Sequence, residues 1–270
     1  MEREKVDFTG AMQMMLVTLY GKAMESGFPD SLLKDRFAAE AVRWIDYDFP
    51  SLKVDSNMAS GLAIRAKAMD EWVSGFLTRN PAATVVHLGC GMDTRVFRID
   101  PPAEVEWFDV DYPEVVALRR RLYPARVHYH LVASPAAEFG WIEEVPRGPA
   151  VIVAEGLTPY LRPQEGLRLF SRLVAHCGQG ELVCDVYGGF ALKMMRLTPY
   201  FRRSGAELHW AIEDPRELEK EIPGLRLVEA APAYKPEDAA RMTWASRPFI
   251  YLWNVVPALR KTGRMLRFRF

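Results

Sequence analysis

Residues 84–91 of the chain read TVVHLGCG, a short and mostly apolar run that ends in two glycines spaced by one residue. Such a run predicts a buried β-strand, and glycines directly after it let the chain turn sharply and approach a ligand. Gly89 and Gly91 are therefore candidate residues of a turn that holds a nucleotide-type cofactor. The GxGxxG pattern of dinucleotide-binding folds is incomplete, because Thr94 stands at its third glycine position. A glycine turn without a ligand stays open as the alternative.

Further apolar runs follow and alternate with stretches of helical spacing. This alternation predicts an α/β fold with a parallel sheet that helices cover on both faces. Ligands of such sheets bind beyond the carboxyl ends of the strands, so the residues after each strand are site candidates. The candidate strands are 84–88, 105–110, 127–132, 150–154, 182–186, 225–228 and 249–255. The candidate helices between them are 114–122, 164–175 and 215–221.

Residues 1–80 have helical spacing throughout. We expect helices over 11–24 and over 31–44, with Ser31 as a candidate N-cap, and a third helix that ends at Asn80. The prediction is one domain, with residues 1–80 as an N-terminal helical cover and residues 81–270 as the core. The aromatic and Met-containing segment 188–213 is either a flap over a substrate pocket or a helix packed on the sheet edge.

Acidic residues follow two of the candidate strands. Asp109 and Asp111 lie about twenty residues past the glycines, where a carboxylate can accept both hydroxyls of a ribose. One of the two would alternatively cap the helix that opens near Pro113. Glu155 follows the strand at 150–154, and a carboxylate there must pair with a cation or face a polar cleft.

Composition excludes several functional classes. Lys plus Arg and Asp plus Glu each number 35, so the formal net charge is zero and nothing favours nucleic-acid binding. No apolar run of about eighteen residues predicts a membrane span, and three cysteines without a CxxC pair favour a cytoplasmic protein. His128 and His130 share a strand face without a third ligand, so no metal is expected. The triplet 119–121, Arg-Arg-Arg, is interpreted as a solvated helix face, and the basic tail 260–270 as an edge strand or exposed tail.

Three blocks, in sequence order, carry a resemblance to a known family. They are HLGCGMDTRVFRID at 87–100, WFDVDYPEVVALRRRLYP at 107–124 and VAEGLTPYLRPQEG at 153–166. They resemble the signature blocks of the leucine carboxyl methyltransferase family, and most closely its bacterial branch of polyketide-type O-methyltransferases. The resemblance implies a Rossmann-like, seven-stranded methyltransferase fold with a helical N-terminal cover, and S-adenosylmethionine as the cofactor.

The resemblance also implies roles for individual residues. Arg65 in AIRAKAMD and Lys22 in LYGKAMES match basic residues that hold the carboxylate of the cofactor's methionine part. Four more positions match the two motif glycines, the ribose acid and the acid near the cofactor's amino-acid end: Gly89, Gly91, Asp111 and Glu155. The chain departs from the pattern after the third strand, where many members have an acid. Ser134 lies nearby and is a candidate to hydrogen-bond the adenine, although it lacks the negative charge of that acid.

The implied reaction is transfer of the sulfonium methyl group to an oxygen, in first place a carboxylate of a small polyketide-like acid. A carboxylate is ionised at pH 7, whereas a phenol with a pKa near ~10 would need a general base. No catalytic dyad is predicted, and Tyr160 is a candidate for the acceptor pocket wall. The expected partner is a small carboxylic acid or phenol, with no nucleic acid and no membrane. An NAD-dependent oxidoreductase and a non-catalytic binding module of the same fold stay open as alternatives.

Overall fold

Short runs of buried apolar residues form the centre of the structure. The computed structural model describes residues 3–270; Met1 and Glu2, which belong to the expected N-terminal cover, lie outside the described residues. Two short strands, β1 (Glu4–Lys5) and β2 (Ile45–Asp46), pair in parallel with each other. Seven further strands in the described range form the main sheet: β3 Thr84–Leu88, β4 Glu106–Asp111, β5 Tyr129–Ala133, β6 Gly148–Ala154, β7 Gly178–Tyr187, β8 Arg226–Pro232 and β9 Gly263–Arg269.

The main sheet has the order β5-β4-β3-β6-β7-β9-β8. Its first five strands are parallel neighbours, and β9 runs antiparallel to both β7 and β8. The chain changes direction across the sheet at β3, which pairs with β4 on one side and β6 on the other. A crevice is expected beyond the carboxyl ends of the strands at such a switch point. The seven-stranded sheet that the sequence predicts is therefore confirmed.

Alternate residues of a strand point to opposite faces of the sheet, and helices pack against the apolar residues of both faces. Val85 packs with Val73 of one helix layer, and its neighbour Val86 packs in the cluster that contains Phe170 on the other face. No helix within residues 3–270 combines the length and apolar character that crossing a membrane requires. The helices are α1 Gly10–Glu25, α2 Arg36–Trp44, α3 Ser56–Arg79, α4 Arg95–Ile99, α5 Pro113–Leu122, α6 Pro163–Cys177, α7 Gly189–Leu197, α8 Pro199–Ser204, α9 Arg216–Glu221, α10 Arg247–Val255 and α11 Pro257–Arg260.

The C-terminal part corrects two expectations. Residues 249–255, expected as a strand, lie in helix α10, which has a proline in its first turn. A short apolar run does not by itself separate a strand from a helix, and that proline favours a helix start. The last strand is instead β9, formed by the basic tail. It is neither exposed nor at the edge, because Leu266 and Phe268 are fully buried and β8 covers its outer side.

The helix expected over 31–44 begins later than predicted. Its cap is Asp35, whose carboxylate accepts the backbone N–H of Ala38 at 2.9 Å, and α2 starts at the next residue. Ser31 donates its hydroxyl to Glu25 instead, at 2.9 Å. Both residue types make good N-caps, so composition alone does not distinguish them. The remaining predicted strands and helices are confirmed, with ends shifted by a few residues.

Candidate active site

The turn after β3 has a backbone conformation that favours glycine. Gly89 and Gly91 have φ angles of +56° and +50°, in the left-handed region. A Cβ atom at Gly89 would lie 2.9 Å from Leu157, and one at Gly91 would lie 3.0 Å from Met15. Both glycines border a cavity of about 1000 Å³. The turn therefore brings bare backbone to the wall of a cavity at the carboxyl ends of the strands.

The two aspartates at the end of β4 have different environments. Asp111 lines the cavity, and its carboxylate accepts the backbone N–H groups of Gly91 (2.6 Å) and Tyr112 (2.7 Å). Burial raises the pKa of Asp111 in spite of these two bonds. Asp109 does not border the cavity, and it makes hydrogen bonds with four side chains: His87, Trp107, Tyr129 and Arg119. Of the two candidates, Asp111 is the one placed to contact a ligand.

Arg119 corrects the expectation of a solvated basic helix face. It is fully buried beneath the glycine turn, where its Nη1 donates to the carbonyl oxygens of Gly91 and Asp93, both at 2.7 Å. It also pairs with Asp109. Consecutive residues of a helix point in different directions, and α5 directs Arg119 inward on the same side as Val115. Arg119 therefore holds the glycine turn from below.

Lys22 of α1, Arg65 of α3 and Glu155 after β6 meet at one end of the cavity, which all three line. Lys22 Nζ lies 3.0 Å from Glu155 Oε1, and Arg65 Nη2 lies 3.2 Å from the same oxygen. Burial by itself raises the pKa of Glu155, but the charges of Lys22, Arg95 and Arg65 outweigh it and hold that pKa below its usual range. Glu155 is thus ionised at neutral pH. Two cations and a carboxylate stand together where the sequence analysis expects the cofactor's amino-acid end.

A larger network of buried charges, which the sequence analysis did not assign, surrounds these three residues. Arg95 donates to Asp70 at 2.6 Å and pairs with Glu155, and Arg98 donates to Asp70 at 2.9 Å. Within residues 3–270, four cations lie among five carboxylates: Lys22, Arg65, Arg95 and Arg98 with Asp35, Asp70, Asp93, Glu155 and Asp185. The sequence signal is the DTR triplet just after the glycines, but its partners are distant in sequence.

Asp185 and Tyr187 at the end of β7 are a second group that the sequence analysis missed. One carboxylate oxygen of Asp185 accepts the backbone N–H of Gly156 at 2.6 Å. The other accepts Arg65 Nη1 at 2.9 Å and the Tyr187 hydroxyl at 2.8 Å. Asp185 therefore ties Arg65 to the loop that carries Glu155. Asp185 lies inside the predicted strand 182–186 rather than after it, so the strand-end rule that finds Glu155 does not single it out.

The loop after β5 also reaches the cavity, but Ser134 is not among the residues that line it. The Ser134 hydroxyl donates to the carbonyl oxygen of Pro135 at 3.2 Å. The backbone N–H of Ser134 donates to the backbone carbonyl oxygen of Asp111 at 2.9 Å. The next four residues, 135–138, line the cavity. The structure thus places this loop at the site through those residues, and an adenine contact by Ser134 itself stays a prediction.

A second group of lining residues, mainly aromatic and Met side chains, forms what we call the acceptor end of the cavity. Tyr160, the candidate wall residue, lies here and stacks on Phe201 with 6.3 Å between ring centroids. Burial raises the pKa of Tyr160 and of Tyr234, so both hydroxyls are protonated at neutral pH. Neither hydroxyl has a hydrogen-bond partner in the described part of the chain. Further side chains at this end come from α7, α8 and α10: Phe190, Met194, Met195, Tyr200, Phe249 and Trp253.

Fold and site together define the class of protein. The family resemblance implies a seven-stranded sheet, a glycine turn, an acid after the next strand, and basic and acidic residues for the cofactor's amino-acid end. The structure has all four. Comparison with known proteins agrees with this class. A family model described as leucine carboxyl methyltransferase matches residues 15–133.

Similar full-length sequences identify the family. The tetracenomycin polyketide synthesis O-methyltransferase TcmP of Streptomyces glaucescens is 37% identical, and the match covers 99% of this chain and 99% of that protein. The S-adenosyl-L-methionine-dependent methyltransferase dpfgK of Gibberella zeae is 33% identical, with 85% of this chain and 84% of that protein covered. The chain belongs to the leucine carboxyl methyltransferase family, and it is a methyltransferase.

Solved structures support the fold. A candidate methyltransferase from Thermobifida fusca YX superposes with a TM-score of 0.62 at 15% identity, covering 97% of this chain and 95% of that one. The plantazolicin methyltransferase BamL, in complex with a triazolic desmethylPZN analog and SAH, superposes with a TM-score of 0.52 at 8% identity, covering 95% and 97%. At these identities the likeness concerns the fold alone.

Proposed function

We propose that the protein transfers the methyl group of S-adenosylmethionine to a carboxylate oxygen of a small, largely apolar organic acid. The observation that carries the proposal is one cavity with two unlike ends. Lys22, Arg65 and Glu155 meet in one part of its wall, and apolar and aromatic side chains form another part. Relatives named as methyltransferases make S-adenosylmethionine the cofactor of choice. The cofactor supplies the activated methyl group, and the chain supplies binding and orientation.

The residues present fit this cofactor. Lys22 and Arg65 would hold its carboxylate, and Glu155 its ammonium, because a zwitterion needs both kinds of partner at one place. Asp111 would accept the ribose hydroxyls, since it is the strand-end acid that faces the cavity. The left-handed glycine turn brings its backbone to the cavity wall, where the cofactor would lie against it. The loop 135–138 would border the adenine.

A carboxylate acceptor matches the groups at the acceptor end. Tyr160 and Tyr234 are protonated, so they can donate hydrogen bonds to an anion but cannot remove a proton from a phenol. His87 lines the cavity, but its two ring nitrogens lie against Asp109 (3.1 Å) and Arg95 (3.2 Å). Because both ring nitrogens of His87 already have partners, His87 is a poor general base. Catalysis would rest on alignment of the reacting atoms and exclusion of water.

The organisation of the chain suggests how the acceptor is enclosed. Residues 1–80 supply Lys22 and Arg65 and act as the cover over the cofactor end. Segment 188–213 supplies Phe190 and Met194 to the acceptor end, which favours the flap over a helix that only packs on the sheet edge. Three free, buried cysteines fit a reducing compartment, in agreement with a cytoplasmic location.

The test uses cofactor labelled on the methyl group and paired acceptors that share a ring system but carry either a carboxylate or a phenol. We expect label in a product that mild alkali releases, because methyl esters hydrolyse under conditions that leave methyl ethers intact. An alkali-stable product formed from the phenols would contradict the carboxylate assignment. Absence of label in every carboxylic acid of the panel would also contradict it.

A further inference from the structure

The two segments that border the acceptor end carry charges of one sign. The full chain has equal numbers of acidic and basic residues, so a local excess is informative. Segment 189–204, which forms α7 and α8, contains no acidic residue and these basic ones: Lys193, Arg196, Arg202 and Arg203. Segment 239–265, which includes α10 and α11, also lacks acids and contains Arg241, Arg247, Arg260, Lys261 and Arg264.

Most of these cations form no ion pair within 4.0 Å among the described residues, although the charges of Asp214, Glu213 and Glu217 act on Arg264. Arg241 lies 3.0 Å from Asp30, and for the other eight no carboxylate in the described part of the chain comes within 4.0 Å. Some donate hydrogen bonds to backbone carbonyl oxygens instead. Arg264 Nη2, for example, donates to the carbonyl oxygen of Glu213 at 2.6 Å. Cations that form no ion pair contribute a positive surface potential that attracts anionic partners.

The same segments expose large apolar side chains. Trp244 is 83% exposed, Val255 76% and Phe190 59%. On α10, Ile250 points into the protein, while Phe249, Leu252 and Val255 recur every three residues on the solvent side. A helix that is apolar on both its inner and outer sides is typical of an element that a second surface covers.

The cavity opens on this surface. Phe190, Met194 and Phe249 line the cavity, and each is also at least half exposed to solvent. These side chains therefore stand at the entrance. An apolar acceptor that enters here meets the aromatic and Met side chains of the acceptor end.

We propose that this surface, formed by the exposed side chains of 189–204 and 239–265 and called here the basic apolar face, docks on an anionic lipid surface. Aromatic and aliphatic side chains flanked by Arg and Lys are the signature of segments that lie in the headgroup region of a membrane. Such a protein lies on the bilayer without spanning it. The surface would also present lipid-dissolved acceptors to the entrance.

Two other occupants fit the face less well. A symmetric contact between two copies would bring the same patch against itself, so the unpaired cations would repel each other. An acidic protein would satisfy the charges, but hydrogen-bonding rims are usual in such contacts, whereas the exposed side chains here are mainly Trp, Phe, Leu and Val. Docking on lipid needs no positioned hydrogen bonds and accounts for both the charge and the apolar area.

The experiment is co-sedimentation of the full chain with vesicles of phosphatidylcholine, with and without phosphatidylglycerol. We expect pelleting with the anionic vesicles only, and weaker pelleting at high salt. The double variant Arg260→Glu/Lys261→Glu should lower partitioning by about tenfold or more, because each cation near the surface adds to binding. Arg216→Glu/Lys220→Glu, on exposed α9 outside the face, makes the same charge change and should leave partitioning unaltered.

The apolar part is tested with Trp244→Ser/Leu252→Ser, neither of which lines the cavity. Its control is Val127→Ser, which is 75% exposed just before β5 at the opposite end of the sheet. All variants should keep the thermal midpoint of the starting protein. Absence of pelleting with anionic vesicles would overturn the proposal, as would equal losses in test and control variants. So would binding to a soluble acidic protein instead of vesicles, or a dimer in light scattering that Trp244→Ser/Leu252→Ser abolishes. The assay contains neither cofactor nor acceptor, so its failure would leave the proposed methyl transfer untouched.

Discussion

The two ends of the cavity are built on different principles. At the cofactor end, charged side chains are fixed by partners, as Glu155 is by Lys22 and Arg65. At the acceptor end, the hydroxyls of Tyr160 and Tyr234 lack partners in the described part of the chain, and Met side chains contribute to the wall. A pre-ordered cluster of charges suits one ligand of fixed charge pattern, because little reorganisation is needed on binding. Flexible Met and aromatic side chains suit an acceptor whose shape varies.

This difference has consequences for mutation. Removing one member of the buried network leaves its partners charged and uncompensated, so effects should be large and should spread from cofactor binding to stability. Removing a hydroxyl at the acceptor end leaves no buried partner behind, so its effect should be small and confined to acceptor turnover. Variants at each end of the cavity test this difference.

The largest expected effect is on stability, from Arg95→Met. Arg95 is fully buried and pairs with Asp70, Asp93 and Glu155, so its loss removes one of the cations that balance these buried carboxylates. The free energy of unfolding should fall by about 3–5 kcal/mol, measured by urea denaturation without cofactor. Arg216→Met on the exposed helix α9 should change it by less than about 0.5 kcal/mol. A loss below about 1 kcal/mol for Arg95→Met would mean that the network is not a cooperative unit.

The next effect is on cofactor affinity, from Arg65→Gln. Loss of a charge-assisted hydrogen bond costs about 1.5–3 kcal/mol, which corresponds to roughly tenfold to hundredfold weaker binding of S-adenosylhomocysteine in calorimetry. Lys67→Gln is the matched control, because Lys67 lies on the same helix, its side chain is 43% exposed and it pairs with Glu71. Equal affinities of the two variants for S-adenosylhomocysteine would show that Arg65 does not contribute to cofactor binding.

Glu155→Gln should reveal the charge of this carboxylate through pH. The pKa of Glu155 is lowered on folding, so its contribution to stability is present above the unfolded pKa of about 4.3 and is lost as pH falls through the folded value. The starting protein should exceed the variant in unfolding free energy by about 1–3 kcal/mol at pH 7. The gap should narrow steadily below pH ~4.3. A gap that stays constant from neutral to acid pH would show that the ionised form of Glu155 is not what the cations stabilise.

The cofactor end was also far more accessible to sequence analysis than the acceptor end. Gly89, Asp111 and Glu155 each follow a strand directly, so a local rule finds them. Arg95 lies in the same block, but its partner Asp70 is brought to it only by the packing of α3. The acceptor end depends on α7 and α10, which have no strand-end signal. The run 249–255 has the composition of a strand, and only its packing and its leading proline make it a helix.

The smallest expected effect is that of Tyr160→Phe, at the acceptor end. The variant removes one neutral donor that has no protein partner, so the cost is about 0.5–1.5 kcal/mol, or roughly twofold to tenfold in kcat/KM for whichever acid the enzyme methylates. Affinity for S-adenosylhomocysteine and the urea midpoint should stay the same, because Tyr160 belongs to neither the charge network nor the glycine turn. Tyr251→Phe is the control, since Tyr251 is exposed on α10 and does not line the cavity. If Tyr160→Phe weakened cofactor binding as much as it slowed acceptor turnover, the two ends would be coupled, and the division between an ordered cofactor end and an adaptable acceptor end would not hold.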